Sequence, residues 1–487
     1  MSYLSLAFAG FVLLVMTVFY LLPIKFRWVF LLIGSLLFYA SFDLRYLPFL
    51  LFTALTTFFG AKLIRKTEKK RLVLGSVISL NVAVWLCIKE LPWAFVTLTR
   101  ALGVLGVNIT EPEFSVIVPV GISYFILQAI AYIVDVMKGK TEGENNFFKY
   151  LLFLSWFPAI VQGPISRYND LMPQLLNTKK YSFESMRESL VLILFGLVKK
   201  MVIADRLGIF VNAVFGNFVE LRGVILYLGA VGYAIQLYAD FSGCVDICRG
   251  VSGLFGVELV NNFNRPYLSR SIKEFWGKWH ISLSSWLKDY VYIPLGGNRK
   301  GTLRKYVNLM LTFLVSGLWH GAGFNFFLWG AVHGTYQIVG QATLNLRSKI
   351  KAFLGIKPDS LSDRIYQTVT TFNLVTFGWI IFRAGGLITG LRYIRRMFME
   401  AHVWQLFDGS LYKFGLNQNY IFFLFLHILV LFAVELLTKR QEDVVSGLCR
   451  QHIGVRWVVY LLLIFDVLLF GVYGSGYDMA SFMYGGF

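Results

Sequence analysis

Long apolar runs alternate with short polar clusters along this chain, and the spacing of that alternation is the first thing it establishes. Leu4 to Leu22 holds no charged residue. At 1.5 Å of rise per helical residue it is long enough to cross a hydrocarbon core of about 30 Å. No basic segment precedes it and no small-residue cleavage site follows, so it reads as a retained helix rather than a signal peptide. Lys25 and Arg27 come next, then an apolar run to Ser41, then Asp43 and Arg45, then a run ending in Lys62, Arg65, Lys66, Lys69, Lys70 and Arg71. Residues 72–89 and 115–137 are further apolar runs, followed by candidate spans near 189–208, 222–243, 307–320, 324–344, 371–383, 418–438 and 456–474. The stretch 147–162, with Trp156 and Pro158, has the length of a re-entrant or interfacial segment. These patterns predict an all-α, polytopic membrane protein of about eleven spanning helices with re-entrant or interfacial helices between them.

Basic clusters favour cytoplasmic loops, so the cluster at 62–71 places Lys25 and Arg27 inside and the N-terminus outside. The alternation holds only if residues 90–113, with Pro92, Pro112, three glutamates and two glycines, lie on the outer surface. The polar loops at 178–188, 346–367 and 439–455 are too short for soluble domains. A single membrane domain is expected, divided into N-terminal helices (1–113), a central core (114–345) and C-terminal helices (346–487).

Composition agrees. Hydrophobic residues make up 57% of the 487 residues and charged residues 15%, against about 25% charged in a soluble domain. Mean hydropathy is +0.63. The net charge of +19 belongs to cytoplasmic loops facing anionic lipid rather than to nucleic-acid binding. Cys87, Cys244, Cys248 and Cys449 show no C-x-x-C or Cys/His metal spacing, so neither a disulfide nor a metal site is predicted. No internal repeat with paired broken helices appears, as many secondary transporters would show.

Chemistry concentrates in residues 261–305, NNFNRPYLSRSIKEFWGKWHISLSSWLKDYVYIPLGGNRKGTLRK. Trp276, Trp279, Leu283, Trp286, Leu287 and Tyr290 recur at helical steps opposite Lys273, Lys278, Lys288 and Asp289, which predicts one amphipathic helix. Such a helix is either a membrane-surface anchor or a segment dipping into the protein. His280 argues for the second, because helical spacing puts it with Trp276, Leu283 and Leu287. A following apolar helix ends at Trp319-His320-Gly321, an ionisable group at membrane depth beside glycine. Spacing leaves His320 as either a functional group or a structural histidine bonded to a carbonyl. His333 would lie about 220° around and about 20 Å along one continuous helix from His320, outside a shared site unless Gly321 and Gly323 break that helix. His427 and Asp466 each stand alone in apolar runs and are expected to pair with each other or with a neighbouring helix. There is no G-x-S-x-G elbow, Walker A or H-E-x-x-H motif, so the histidines are the chemistry the sequence offers.

The ordered segments VPVGISYFILQAIAYIVDV (118–136), FPAIVQGPISRYNDLMPQL (157–175), LYADFSGCVDICRG (237–250), NNFNRPYLSRSIKEFWGKWHISLSSWLKDYVYIPLGGNR (261–299) and SGLWHGAGFNFFLWGAVHG (316–334) resemble the membrane-bound O-acyltransferase superfamily, bacterial polysaccharide branch. The resemblance implies a ring of helices around a tunnel, His320 as the catalytic histidine and His280 as its partner. It also implies site lining from Asp240, Ser242, Asp246, Trp319 and Asn298. Asp240, Ser242 and Asp246, at the end of the 222–243 run, are equally able to stabilise a helix end. It further implies a bacterial cytoplasmic-membrane enzyme passing an acyl group, acetyl in this branch, from a cytosolic thioester such as acetyl-CoA to an exported polysaccharide. An extracytoplasmic acetyltransferase or esterase-like partner and no bound cofactor go with that branch. D-Alanyl transfer to teichoic acid is the related alternative, and a glycan or lipid transporter the alternative of another class. Lys273, Lys278, Arg299 and Lys300 are candidates for the donor's phosphates, and the same charges also suit topology and anionic lipid.

Overall fold

A computed structural model describes residues 1–107, 117–177, 181–321, 323–438 and 441–473. Among them the regular structure is helical: α1 Leu6–Leu21, α2 Ile24–Ala40, α3 Leu47–Lys66, α4 Lys70–Lys89, α5 Leu91–Val104, α6 Ile122–Met137, α7 Phe147–Ser155, α8 Tyr168–Leu176, α9 Phe183–Leu197, α10 Asp205–Gly216 and α11 Val224–Gly253. The series continues with α12 Ile272–Lys278, α13 Ile281–Leu287, α14 Thr302–His320, α15 Phe324–Ala342, α16 Leu344–Phe353, α17 Leu361–Arg383, α18 Leu387–Met399, α19 Gln418–Leu437, α20 Gln441–Cys449 and α21 Ile453–Phe470. Six are long and apolar enough to cross a membrane: α3 with its leading turn, α4, α11, α17, α19 and α21. Shorter apolar helices are α1, α5 and α6. At 14 residues, α5 falls short of the roughly 20 a span needs, in keeping with a non-spanning 90–107. Residues 108–113 of that stretch lie outside the described residues.

The chain folds as two compact units. Among the described residues, one comprises Met1–Ile193 and Val245–Val260, the other Leu194–Cys244 and the chain from Asn261 to Tyr473. In the first unit α3 packs on α4, α6 and α7, and α2 packs on α7. The polar groups buried there are matched: Tyr150 and Thr57 share a hydrogen bond of 2.8 Å, and the Trp156 indole donates to Ser252 at 3.1 Å. The predicted re-entrant stretch 147–162 is the short α7 followed by tight turns.

In the second unit α14 and α15 form a close hairpin, α15 packs on α17, and α17 on α18. Small residues allow the approach. A Cβ on Gly317 or Gly330 would strike the backbone carbonyl of Phe326 or Phe313, and one on Gly334 would lie 2.9 Å from Met310 Sδ. Helices without a hydrophobic drive between them gain from this close backbone contact.

Two expectations change. The 222–243 span runs on to Gly253 as a 30-residue helix, so Asp240, Ser242 and Asp246 lie within α11 rather than at its end. The helix continues because those groups are all buried, and Asp240 finds its counter-charge on a neighbouring segment. The polar stretch 346–367 is itself largely helical, holding α16 and the first turns of α17. Serine capping starts α17, where Ser360 Oγ accepts from the Asp363 amide at 3.3 Å.

Candidate active site

The predicted amphipathic helix over 276–290 is broken at its centre. α12 ends at Lys278, Trp279 is extended, and His280 adopts φ 44°, ψ 57° before α13 begins. A left-handed conformation is unusual for a residue with a Cβ and persists where its surroundings over-determine it. Here the segment 262–264 runs antiparallel to 278–282. The Asn264 amide donates to the Lys278 carbonyl at 3.0 Å, and the Ile281 amide to the Asn262 carbonyl at 3.0 Å. The Ser282 amide donates to Asn262 Oδ1 at 2.9 Å. Aromatic packing completes the bracket, with Phe263 5.1 Å from the Trp279 ring and 5.0 Å from Phe241. Periodicity missed the break because its hydrophobic positions stay buried on either side of it: Trp276, Trp279, Leu283, Trp286 and Leu287 all face protein.

His280 is 1% exposed, its ring 4.8 Å from Phe241 and 5.8 Å from Trp319. Burial disfavours the imidazolium and pushes the group down to about 3. His320, the last residue of α14, is 2% exposed. Its ring lies 4.9 Å from Trp319, 5.0 Å from Trp329 and 5.4 Å from Phe382. One indole, Trp319, thus touches both histidines, forty residues apart in sequence. Asn325 donates to the Phe382 carbonyl at 3.2 Å and ties α15 to the α17 segment under His320.

For His333 the stated exception holds. The chain turns back after His320 through Gly321 and Gly323, the latter at φ 141°, so α14 and α15 are separate and no continuous helix keeps the two histidines apart. His333 packs 5.0 Å from Trp329. Its Nδ1 accepts from the Trp276 indole at 3.2 Å, a packing role that also ties α12 to α15. Room for it comes from Gly378, where a Cβ would lie 2.5 Å from Nε2.

Among the remaining candidates, Asp240 and Ser242 flank Phe241 on α11 and are 1% exposed. Asp240 pairs at 2.5 Å with Lys200, which also reaches Asp205 at 2.8 Å. Lys200 comes from a π-helical turn, Val198–Ala204, between α9 and α10. Ser242 Oγ is buried with no hydrogen-bond partner among the described residues. Asp246, also buried, belongs to the other unit. Lys278 pairs with Glu274 at 2.7 Å, while Lys273, Asn298, Arg299 and Lys300 are exposed. No contact recorded in the structure brings Asn298 to the histidines; it sits in a loop anchored by Asn308, which donates to the Gly297 carbonyl at 2.9 Å. The expected pairing of His427 with Asp466 is present, Nε2 to Oδ1 at 2.7 Å between α19 and α21. Asn262, which grips the chain just after His280, and Lys200 are the residues sequence reasoning passed over.

Two buried imidazoles sharing an aromatic wall, one of them on strained backbone, suit proton transfer and hydrogen bonding to a substrate held out of water. Residues 141–366 match the family model of the membrane-bound O-acyltransferases. The chain is 37% identical over 390 residues to a probable alginate O-acetylase of Azotobacter vinelandii, covering 78% of this chain and 74% of that one. It is 33% identical over 399 residues to a peptidoglycan O-acetyltransferase of Helicobacter pylori, covering 75% and 73%. A teichoic acid D-alanyltransferase of Bacillus subtilis is 28% identical over 285 residues, covering 56% and 70%. Likeness at this level over most of the length, on an all-helical membrane framework with a buried histidine pair, means that the chain belongs to the membrane-bound O-acyltransferase family and is an acyltransferase.

Proposed function

We propose that this enzyme takes an acetyl group from a cytosolic thioester, acetyl-CoA or another carrier, and passes it through the membrane for O-acetylation of an exported or cell-wall polysaccharide. The observation that supports it most is the pair His280 and His320 on one indole, in a chain whose relatives include O-acetylating enzymes of alginate and peptidoglycan. Acetyl is favoured over D-alanyl because the O-acetylating relatives are more alike and align over more of the chain.

In this mechanism His320 accepts the proton of the acceptor hydroxyl as its oxygen attacks the thioester carbonyl carbon. The carbonyl π electrons move onto oxygen, and His280 hydrogen-bonds the donor or that oxyanion. Collapse re-forms C=O, breaks the C–S bond, and the departing thiolate takes the proton back from His320. The chain's own charge is therefore unchanged over a cycle, which suits a buried site. Trp319 sets the spacing of the two imidazoles, and Asp240 and Ser242 line or brace the approach. Lys273, Lys278, Arg299 and Lys300 attract the donor's phosphates on the cytoplasmic side. The catalytic core is residues 114–345, the N-terminus lies outside, and the enzyme sits in a bacterial inner membrane. The acetyl group is handed to an extracytoplasmic acetyltransferase or esterase-like partner, or directly to the glycan.

The test is thiol release from acetyl thioester by the purified enzyme in vesicles, with and without a hydroxyl acceptor outside. Acceptor-dependent thiol release is expected. A protein that moved glycan or lipid without touching the thioester would contradict the proposal.

A further inference from the structure

Asn262 carries more than its backbone role. Its side-chain oxygen is committed, accepting from the Ser282 amide at 2.9 Å. That contact also settles which atom is which: a backbone N–H can only donate, so the atom facing it is Oδ1 and the other is the –NH2 group. This Nδ2 is buried and has no hydrogen-bond partner among the described residues, in a residue that is 0% exposed. Native interiors seldom leave a buried donor unmatched. The clamp on the chain after His280 needs only Oδ1 and the backbone carbonyl, so nothing in the fold accounts for the amide nitrogen.

We propose that Asn262 Nδ2 donates a hydrogen bond to the carbonyl oxygen of the acyl thioester and to the oxyanion that replaces it, a second donor beside His280. The proposal rests on the acyl-transfer mechanism above. Attack forms the new C–O bond and moves the carbonyl π electrons onto the oxygen held by Nδ2. Collapse returns them, breaks C–S and releases the thiolate with the proton from His320. Asn262 exchanges no proton; it contributes only a preoriented N–H dipole, which a rigid residue in a water-excluding site does well. Its rigidity follows from the same two hydrogen bonds that hold residues 281 and 282.

Asn262→Asp separates the two roles. Assayed from pH 7 to 9, because burial raises a carboxyl's pKa, it retains the acceptor for the Ser282 amide and, once ionised, has no donor. The expected result is a lowered thermal midpoint, because a buried carboxylate without a cation beside it is costly, with kcat of the folded fraction lower by about 10²–10³-fold and a KM for the thioester within about threefold of wild type. A variant with kcat within about threefold of wild type would mean that only the clamp matters, and would overturn the proposal. If Asn262→Asp does not accumulate, the wild type decides, using an acetyl dithioester whose C=S sulfur accepts hydrogen bonds poorly. Corrected for the intrinsic reactivities of the two compounds, the sulfur analogue should be slower by about 10²-fold or more. Equal rates would overturn the donor role. Absence of thioester consumption by the wild type would instead remove the acyl-transfer mechanism itself.

Discussion

Lys200→Met should strongly destabilise the second unit, and it should be partly repaired by a second substitution. Lys200 Nζ lies 2.5 Å from Asp240 and 2.8 Å from Asp205, with side chains 3%, 2% and 12% exposed. One cation serves two carboxylates. Removing it takes from both the charge they share, and breaking a buried pair this way costs about 3–5 kcal/mol. Asp240→Asn leaves the Lys200–Asp205 pair in place and gives up one charge-assisted hydrogen bond, about 1.5–3 kcal/mol. In Lys200→Met/Asp240→Asn one of the two carboxylates that share the cation is gone, so the double variant should fall short of the sum of the singles by about 1–3 kcal/mol. Heating each detergent-solubilised variant and measuring the monodisperse fraction orders them: wild type, then Asp240→Asn, then Lys200→Met, with the double variant above the additive expectation. Equal shifts for the two single variants, or strict additivity in the double, would refute a shared buried cation. Activity should follow, because the ion pair fixes the α11 turn that carries Phe241 against His280.

Three further outcomes are expected. Asp466→Asn should lower the thermal midpoint modestly, since interhelical hydrogen bonds in membranes are worth about 0.6 and at most about 1.7 kcal/mol, and should leave kcat intact; an unchanged midpoint would show the His427 contact to be idle. His280→Asn should keep more activity than His280→Ala. The His280 imidazole, held at about 3 by burial, is neutral from pH 5 to 8. Because its folded value lies below the unfolded one of about 6.5, it withdraws stability only as pH falls from 6.5 toward 3 and changes nothing above. The acid limb of the rate profile should therefore be the same in His280→Asn, and its displacement by a full unit would contradict this. Charge reversal at the exposed Arg299 and Lys300 should raise KM for the thioester without altering thermal stability; an unchanged KM would leave those charges to topology and lipid.

Much of this was legible in sequence, for identifiable reasons. A charge-free run of helical length has few alternatives in water, so the membrane architecture followed from hydropathy. His427 and Asp466 were each stranded in apolar runs, and stranded ionisable groups seek each other. Spacing put His280 among apolar positions and His320 at membrane depth, and their assignment as a catalytic pair came from the ordered motifs around them. What stayed hidden was tertiary. The backbone reversal at His280 leaves the hydrophobic pattern intact, so helical periodicity ran straight through it. Asp240 read as the end of a span because its counter-charge, Lys200, lies forty residues away on a π-helical turn. Asn262 looked like any loop asparagine, and only its paired contacts to 281 and 282 mark it out. The separation of His320 from His333 depended on whether two glycines end a helix, which local sequence allowed without requiring.

The most direct test of the central claim is His320→Ala, purified at wild-type yield and thermal midpoint and assayed in vesicles for acceptor-dependent thiol release from acetyl thioester. If His320 is the general base, turnover falls by about 10²–10⁴-fold while thioester binding persists. Wild-type turnover in a folded His320→Ala protein would contradict it.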